Sequence, residues 1–308
     1  MSLPEPVIVV VGSTMIDMIA YSQKIPQAGE TVIGDSFSLG FGGKGANQAV
    51  MASRMGAKVF MVNTLGDDVF GDTTVKNFHE QGIDTTYISR VAGASGVAPI
   101  WVEPNGTNRI ICVPGANNAM TPTQAEIALR SIGKVDVVIG QLEIPQEVTI
   151  AAFREARALG AQTILNPAPF APLSAELVKL SDWIIPNETE FKGINPSQNL
   201  PESADEIKKV SQALGCKLVV TLGEKGAAFT NSHGEIQYVP APEVTAIDTT
   251  GAGDAFVGSF ASGLASGMEI HRAIKLGCAC ASDSVTRRGT QSSYPTRAQA
   301  EIILAKTL

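Results

Sequence analysis

Val7-Ile8-Val9-Val10-Val11 runs directly into Gly12. A β-branched run without polar alternation cannot line a solvated sheet face, so it reads as a strand buried on both sides. Similar short apolar segments recur at Lys58–Thr64, Val135–Gln141, Gln162–Asn166, Trp183–Pro186 and Leu218–Leu222. Helix-length stretches lie between them, at Asn47–Met55, Pro122–Ile132, Glu147–Leu159 and Ala204–Leu214. Such alternation predicts an α/β fold of three layers, α-β-α, around a mostly parallel central sheet. From Asp254 the chain turns helical, over Asp254–Ser266, Ile270–Val285 and Thr296–Lys306. Two stretches break the pattern. Tyr21–Phe41 is rich in Gly, Pro and β-formers, and Val97–Glu103 with Asn108–Val113 flanks the hairpin signal Pro104-Asn105-Gly106. These insertions, spanning approximately 14–42 and 95–116, are expected to pair into a small sheet over one edge. No repeat or linker divides the chain, which predicts a single domain over 1–308.

Composition removes several function classes. A net charge of −7 gives no basic footprint for nucleic acid. The apolar runs fall far short of the ~20 residues that span a bilayer, and no signal-peptide pattern opens the chain; the expected location is the cytoplasm. Cys112, Cys216, Cys278 and Cys280 are too scattered for a disulfide framework. Cys278 and Cys280 stand two apart in a helical stretch, diverging by roughly 200°, and read as small core residues. His79, His233 and His271 have no ligand-like neighbours, so a zinc site is not expected. Chemistry must come from carboxylates, backbone amides and bound ions.

Three glycine-rich motifs remain. Gly40-Phe41-Gly42-Gly43-Lys44-Gly45 matches the dinucleotide fingerprint in form, but no buried strand leads into it. It is not a phosphate-binding P-loop either, because Gly45 stands where a Ser or Thr is needed. It reads equally as a tight turn into a helix or as a close approach to a polar ligand, with Lys44 and Asn47 as donors. Asp248-Thr249-Thr250-Gly251-Ala252-Gly253-Asp254 is more informative. Gly251, Ala252 and Gly253 at a helix N-terminus offer unpaired amides to an anion. Asp254 can be an N-cap. A carboxylate beside an anion hole also suits removal of a proton from a hydroxyl attacking phosphate, where each preorganised donor contributes about 3–4 kcal/mol, and we favour that reading. Thr221-Leu222-Gly223-Glu224-Lys225-Gly226 closes a strand with a turn, either a plain hairpin or a nucleotide contact. Asn187-Glu188-Thr189-Glu190 is either an acidic helix start or, through Asn187 and Glu190, a holder of hydrated Mg²⁺. Glu143, in Gly140-Gln141-Leu142-Glu143, ends another strand and can accept hydroxyl protons. All these groups converge on one end of one sheet.

With Asn166-Pro167-Ala168-Pro169 and Gly289-Thr290-Gln291-Ser292-Ser293-Tyr294-Pro295, these motifs occur in order along nearly the whole chain and resemble the ribokinase family of sugar and nucleoside kinases. The resemblance implies an ATP-dependent pentose kinase of the ribokinase fold, with a β-sheet lid built from the two insertions that commonly pairs two subunits in a homodimer. It implies Asp254 as the base for the sugar 5-hydroxyl, with Gly251, Ala252 and Gly253 as anion hole. Met15, Asp17, Gly43, Lys44, Asn47 and Glu143 match sugar-site positions. Asn187, the turn Thr221, Leu222, Gly223, Glu224, Lys225 and Gly226, and Cys278 match ATP-site positions. Glu190 with Asn187 matches a Mg²⁺-associated motif. Asp248, Thr250, Ser284, Arg287, Gly289 and Ser293 match a loop that binds an activating K⁺.

One position departs from the pattern: Met15 stands where many members have Asn, and the surrounding motifs look closer to 2-deoxyribose kinases. An apolar pocket rejects an added hydroxyl by only ~10², so activity on both D-ribose and 2-deoxy-D-ribose is expected, with a dedicated 2-deoxy-D-ribose kinase as the alternative. A nucleoside kinase of the same family and a non-catalytic sugar sensor are the more distant readings. Lys44 with Gln48-Ala49 favours a free pentose over the former, and the intact Asp254 motif stands against the latter.

Overall fold

The β-branched segments do become strands buried on both faces. A computed structural model describes residues 5–104, 107–231 and 233–307. The order is β1 (Val7–Val11), β2 (Met15–Tyr21), β3 (Ser36–Gly42), α1 (Lys44–Arg54), β4 (Lys58–Gly66), α2 (Val69–Glu80), β5 (Asp84–Val91), β6 (Val97–Val102) and β7 (Asn108–Ile110). Then come α3 (Pro122–Ile132), β8 (Val137–Gly140), α4 (Gln146–Ala158), β9 (Gln162–Leu165), α5 (Ala175–Leu180), β10 (Trp183–Ile184), α6 (Glu188–Ile194), α7 (Ala204–Leu214) and β11 (Lys217–Thr221). A hairpin of β12 (Ala227–Thr230) and β13 (Ile236–Val239) leads to α8 (Ala252–Ala265), α9 (Ile270–Ser284) and α10 (Arg297–Thr307).

Nine strands form the large sheet in the order β13-β12-β11-β10-β9-β8-β1-β4-β5, parallel from β11 to β5. Along β1, Ile8 and Val10 face the layer of α1, α8 and α9, while Val9 and Val11 face the layer of α3 and α4. That two-sided burial is why the strand needs no polar alternation. From β1 the chain moves outward through β4 and β5, then returns to β8 and moves the other way through β9, β10 and β11. The direction reverses between β1 and β8, and the crevice beyond their carboxyl ends is where an open α/β sheet binds ligands.

The two insertions form the second sheet, of order β3-β2-β6-β7, with β2 and β6 parallel. Their pairing matches the expectation, although β7 stops at Ile110 and Val113 contributes only an isolated bridge to Val97. Asn105 and Gly106 of the expected hairpin turn lie outside the described residues. Helix α1 starts at Lys44, three residues before the expected Asn47, because Gly43 (φ 88°) turns the chain and the Lys44 N–H donates to Glu143. The strand before that turn, β3, belongs to the small sheet, so the fingerprint at Gly40 is not part of a dinucleotide-binding βαβ unit. Helix α2 and strand β5 were not picked out in sequence; β5 is the sheet's edge and carries Thr85, Thr86, Ser89 and Arg90 rather than an apolar run. No helix among the described residues is long and apolar enough to cross a membrane.

Candidate active site

Helix α8 begins on Gly251, whose φ of 76° lies in the left-handed region. A Cβ there would lie 2.5 Å from Thr290 Cγ2, so only glycine fits both the turn and the space. The Tyr294 hydroxyl donates to the Gly251 carbonyl at 3.0 Å. The Ala252 N–H reaches Thr249 O at 3.3 Å, whereas those of Gly251 and Gly253 have no partner among the described residues. These two amides, on the positive end of a 14-residue helix, are free to receive an anion. Asp254 is the third residue of α8 and does not cap it. Its carboxylate instead accepts from Asn47 Nδ2 and Gln48 Nε2, both at 2.9 Å. This reach depends on close approach of α8 to α1 one turn later: a Cβ on Gly258 would stand 2.6 Å from Gln48 O.

Asp254 and Gly253 line a cavity of about 140 Å³ with Lys44, Asn166, Asn187, Glu190 and Thr221. Each comes from the carboxyl end of a strand or the start of a helix, which is how residues far apart in sequence meet. Burial pushes the Lys44 ammonium down, but the carboxylates of Asp254, Glu143 and Glu190 outweigh it and leave the pKa raised, so Lys44 is a firm cation. Asn187 caps α6 in a reciprocal pair: Glu190 N–H donates to Asn187 Oδ1 at 2.8 Å, and Asn187 N–H to Glu190 Oε2 at 2.9 Å. Burial raises the Glu190 pKa against the opposing pull of that hydrogen bond and of Lys44. Among the described residues no group of three or more His, Cys, Asp or Glu gathers to hold a metal. Glu190 and the Asn187 amide are hard oxygen donors facing a polar cavity, and fit a Mg²⁺ that keeps its water and leans on phosphate oxygens.

On the other side of Asp254, Glu143 Oε2 accepts from the Lys44 N–H at 2.9 Å and from the Ser13 hydroxyl. Asp17 lies on β2, and a Cβ on Gly42 would meet its Oδ1 at 2.3 Å, so glycine makes room for this carboxylate. Its pKa is pushed up to about 7, first by burial and then by the neighbouring charges of Glu143 and Asp254. Met15, paired with Gly42, is buried at the start of β2 beside Gly43. Three carboxyl groups and one ammonium thus lie within electrostatic reach of one another, a set of groups suited to a polyhydroxylated ligand.

The Asp248 carboxylate ties two loops together, accepting from Thr250 N and Oγ1 and from Gly289 N at 2.9, 2.7 and 2.9 Å. Burial opposes ionisation there, but these bonds and the nearby Arg288 hold the pKa below its ordinary value. Ser293 O accepts from Arg287 Nε, and Ser284 Oγ donates to Ala281 O. Asp248, Thr250 and Gly289 are therefore drawn together; Ser284 ends α9, and Arg287, just beyond it, is bonded to Ser293 in the next turn. The Asp248 carboxylate is a hard anionic oxygen donor of the kind an alkali cation takes.

Cys278 is not in the cavity: it is buried in α9 with its Sγ 4.0 Å from Val239 O, and burial pushes its thiol up to about 12. Cys280 is likewise buried and pushed up to about 12, so both are inert core thiols. Glu224 and Lys225 are exposed on the turn after β11, with Thr221 alone of that segment lining the cavity. Ser13, Asn77, Gln141 and Gln291 received no role in sequence. Gln48 adjoins Asn47 in one motif and Gln291 lies within Gly289–Pro295, which are usable signals; nothing local marks Asn77.

Residues 6–297 match the pfkB family of carbohydrate kinases. The chain is 39% identical over 296 residues to a deoxyribokinase of Salmonella typhi, covering 94% of this chain and 95% of the relative. It is 40% identical over 299 residues to a ribokinase of Bacillus subtilis, covering 97% and 99%. Arabidopsis thaliana ribokinase, solved with ribose and ATP, resembles the whole structure with a TM-score of 0.90 at 28% identity, over 97% of this chain and 99% of that one. Fold, ordered motifs and similarity thus agree along the length of the molecule, and this chain belongs to the pfkB family of carbohydrate kinases, in its ribokinase-like part.

Proposed function

We propose that the enzyme transfers the γ-phosphoryl group of ATP to the 5-hydroxyl of D-ribose, and of 2-deoxy-D-ribose as well. The observation that carries this reading is Asp254, a buried carboxylate held only by donors, one residue from the unpaired Gly253 amide. Asp254 takes the hydroxyl proton as the sugar oxygen attacks the γ-phosphorus, and ADP leaves in line. The free Gly251 and Gly253 amides, either side of Ala252, and the Lys44 ammonium stabilise charge on the transferring group. The sugar lies against Asp17, Gly43, Asn47 and Glu143, with Met15 at its deoxy-tolerant side. ATP lies over the ends of β10 and β11, by Asn187 and the turn from Thr221 to Gly226. Glu190 and Asn187 would hold Mg²⁺ when it is bound, and it would neutralise charge on the phosphates. The loops of Asp248, Thr250, Ser284, Arg287, Gly289 and Ser293 would hold K⁺, whose charge would help order the start of α8.

The names of the Salmonella and Bacillus relatives support the two sugars, and the ribose and ATP of the Arabidopsis structure support the substrate pair. Met15 favours a second reading, a dedicated 2-deoxy-D-ribose kinase, because a buried thioether offers no partner to a 2-hydroxyl. Phe37 and Leu39 lie exposed on one face of β3, an apolar strip that supports a homodimer through the small sheet acting as lid. An ADP-release assay across ribose, 2-deoxyribose, fructose and adenosine, with and without K⁺, tests the whole reading. Turnover confined to the two pentoses and lost by about 10³-fold or more in Asp254→Asn is expected. Near-normal turnover in Asp254→Asn removes the base assignment, and preference for adenosine removes the sugar assignment.

A further inference from the structure

An ionised carboxylate has no proton to give, so everything that faces Asp254 must donate. Asn47 and Gln48 meet it with their NH₂ groups, which turns both amide oxygens away from the base. Those oxygens are met in turn. Asn47 Oδ1 accepts from Gln291 Nε2 at 3.1 Å, and Gln291 Oε1 accepts from Asn77 Nδ2 at 3.0 Å. On the second arm, Gln48 Oε1 accepts from Gln141 Nε2 at 2.7 Å. All five amides are buried. Reversing any one would set oxygen against oxygen in a site where an unmade hydrogen bond is expensive, so each fixes the orientation of the next. Both arms run with their donor ends toward Asp254.

We propose that Asn77, Gln291 and Gln141 are positioning residues for Asp254. Acting through the amides of Asn47 and Gln48, they keep the carboxylate aimed at the substrate hydroxyl. Asn77 lies on α2 and Gln291 between α9 and α10, and neither lines the cavity. The segment holding Gln291 has an anchor of its own, since Arg54 donates to Gln291 O at 2.9 Å and to Tyr294 O at 3.1 Å. The Gln291 side chain is therefore free for the relay. The inference rests on Asp254 being the base.

The charged and titratable groups around Asp254 are Lys44 on α1, Asp17 on β2, Glu143 beyond β8, Glu190 on α6 and Tyr294 beside the start of α8, with Arg54 behind the relay. None is altered by the test, and Gln291→Met and Asn77→Leu add no charge, so they separate loss of the relay from the charge that Asn77→Asp brings. Gln291→Met keeps volume but loses the donor to Asn47. Asn77→Asp offers Gln291 an acceptor instead of a donor, which reverses Gln291 and then Asn47. Both variants should lower kcat by about 10- to 100-fold, the worth of one hydrogen bond to a charged group. The acid limb of the kcat–pH profile should move up by about one pH unit in each, with KM for ribose and ATP within about threefold of wild type. Asn77→Leu, which removes the donor without imposing reversal, should show the smaller shift. A merely structural role predicts a lower melting temperature with an unmoved acid limb. Wild-type kcat and acid limb in folded Gln291→Met or Asn77→Asp overturn the relay. The two substitutions lie on different elements, so failure of one to fold leaves the other to decide, and Asn77→Leu stands behind both. Asp254→Asn separates the two claims: if it is inactive while the relay variants are normal, the relay alone fails; if it is active, the base assignment fails.

Discussion

Replacing Gly253 with alanine separates what the fold wants at this position from what the chemistry wants. Gly253 is the second residue of α8, in helical conformation, and a Cβ built there meets no protein atom within 4 Å. The fold therefore has no use for a glycine here; a helix position normally gains about 0.5–1 kcal/mol on going from Gly to Ala. For a chain of this size that is a rise in Tm of about 1–3 °C. The open space is the cavity shared with Lys44, Glu190 and Asp254. A methyl group there occupies the approach to the free Gly253 N–H, and displacing a transferring phosphoryl group by ~1 Å costs about 10²-fold in turnover. Loss of one anion-hole donor falls in the range of about 10²–10³. Gly253→Ala is thus expected to be more stable than wild type and slower by about 10²–10³ in kcat, with sugar affinity unchanged. Thermal unfolding and ADP release on the same preparation read both halves. A kcat within about threefold of wild type refutes phosphoryl transfer over the start of α8, and a fall in Tm refutes the statement that the protein leaves this space open.

Asp17 makes stability pH-dependent. A carboxyl whose pKa rises on folding from 3.8 to about 7 binds its proton more tightly in the native state. Stability is therefore greatest below the unfolded pKa, falls as pH climbs through about 7, and is level above. Asp17→Asn should abolish that slope and leave the unliganded protein about 1–4 kcal/mol more stable at pH 8 while weakening sugar binding; an unchanged slope in denaturant unfolding across pH refutes the burial argument. Gly258→Ala should destabilise by about 1–3 kcal/mol and lower kcat, since its Cβ would press on Gln48 O at 2.6 Å and Met51 Cβ at 2.9 Å and push α8 away from α1; unchanged Tm would mean the helices yield freely. Met15→Asn should shift the kcat/KM ratio toward ribose over 2-deoxyribose by about 10-fold or more, and an unmoved ratio removes Met15 from sugar choice.

The central layers were legible because their signals are local. Val7–Val11 and its counterparts are unalternated since helices cover both faces, and Gly251–Asp254 announces an amide-lined helix start within four residues. Strand β5 carries no such local signal for the same reason in reverse: at the edge of the sheet it needs no apolar run. The start of α1 shifted to Lys44 because a contact with Glu143, 99 positions away, holds its first amide. Cys278 matched a nucleotide-site position by resemblance, yet its thiol packs inside the core.

By itself the sequence determined a three-layer α/β fold with a small β appendage, and the kind of chemistry available at the strand ends. Periodicity and turn chemistry act over a few residues, so they can be read in a line. Only the tertiary structure decided what surrounds Asp254. Gln291 lies 244 positions from Asn47, and Gln48 lies 206 from Asp254. The direction in which each buried amide donates follows from the acceptor it finally meets, and that acceptor is supplied by the packing of α1 against α8 and by Gln48 meeting Gln141 and Asn166 beyond β8 and β9. The raised pKa of Asp17 has the same origin: burial and two carboxylates that only the folded chain brings near.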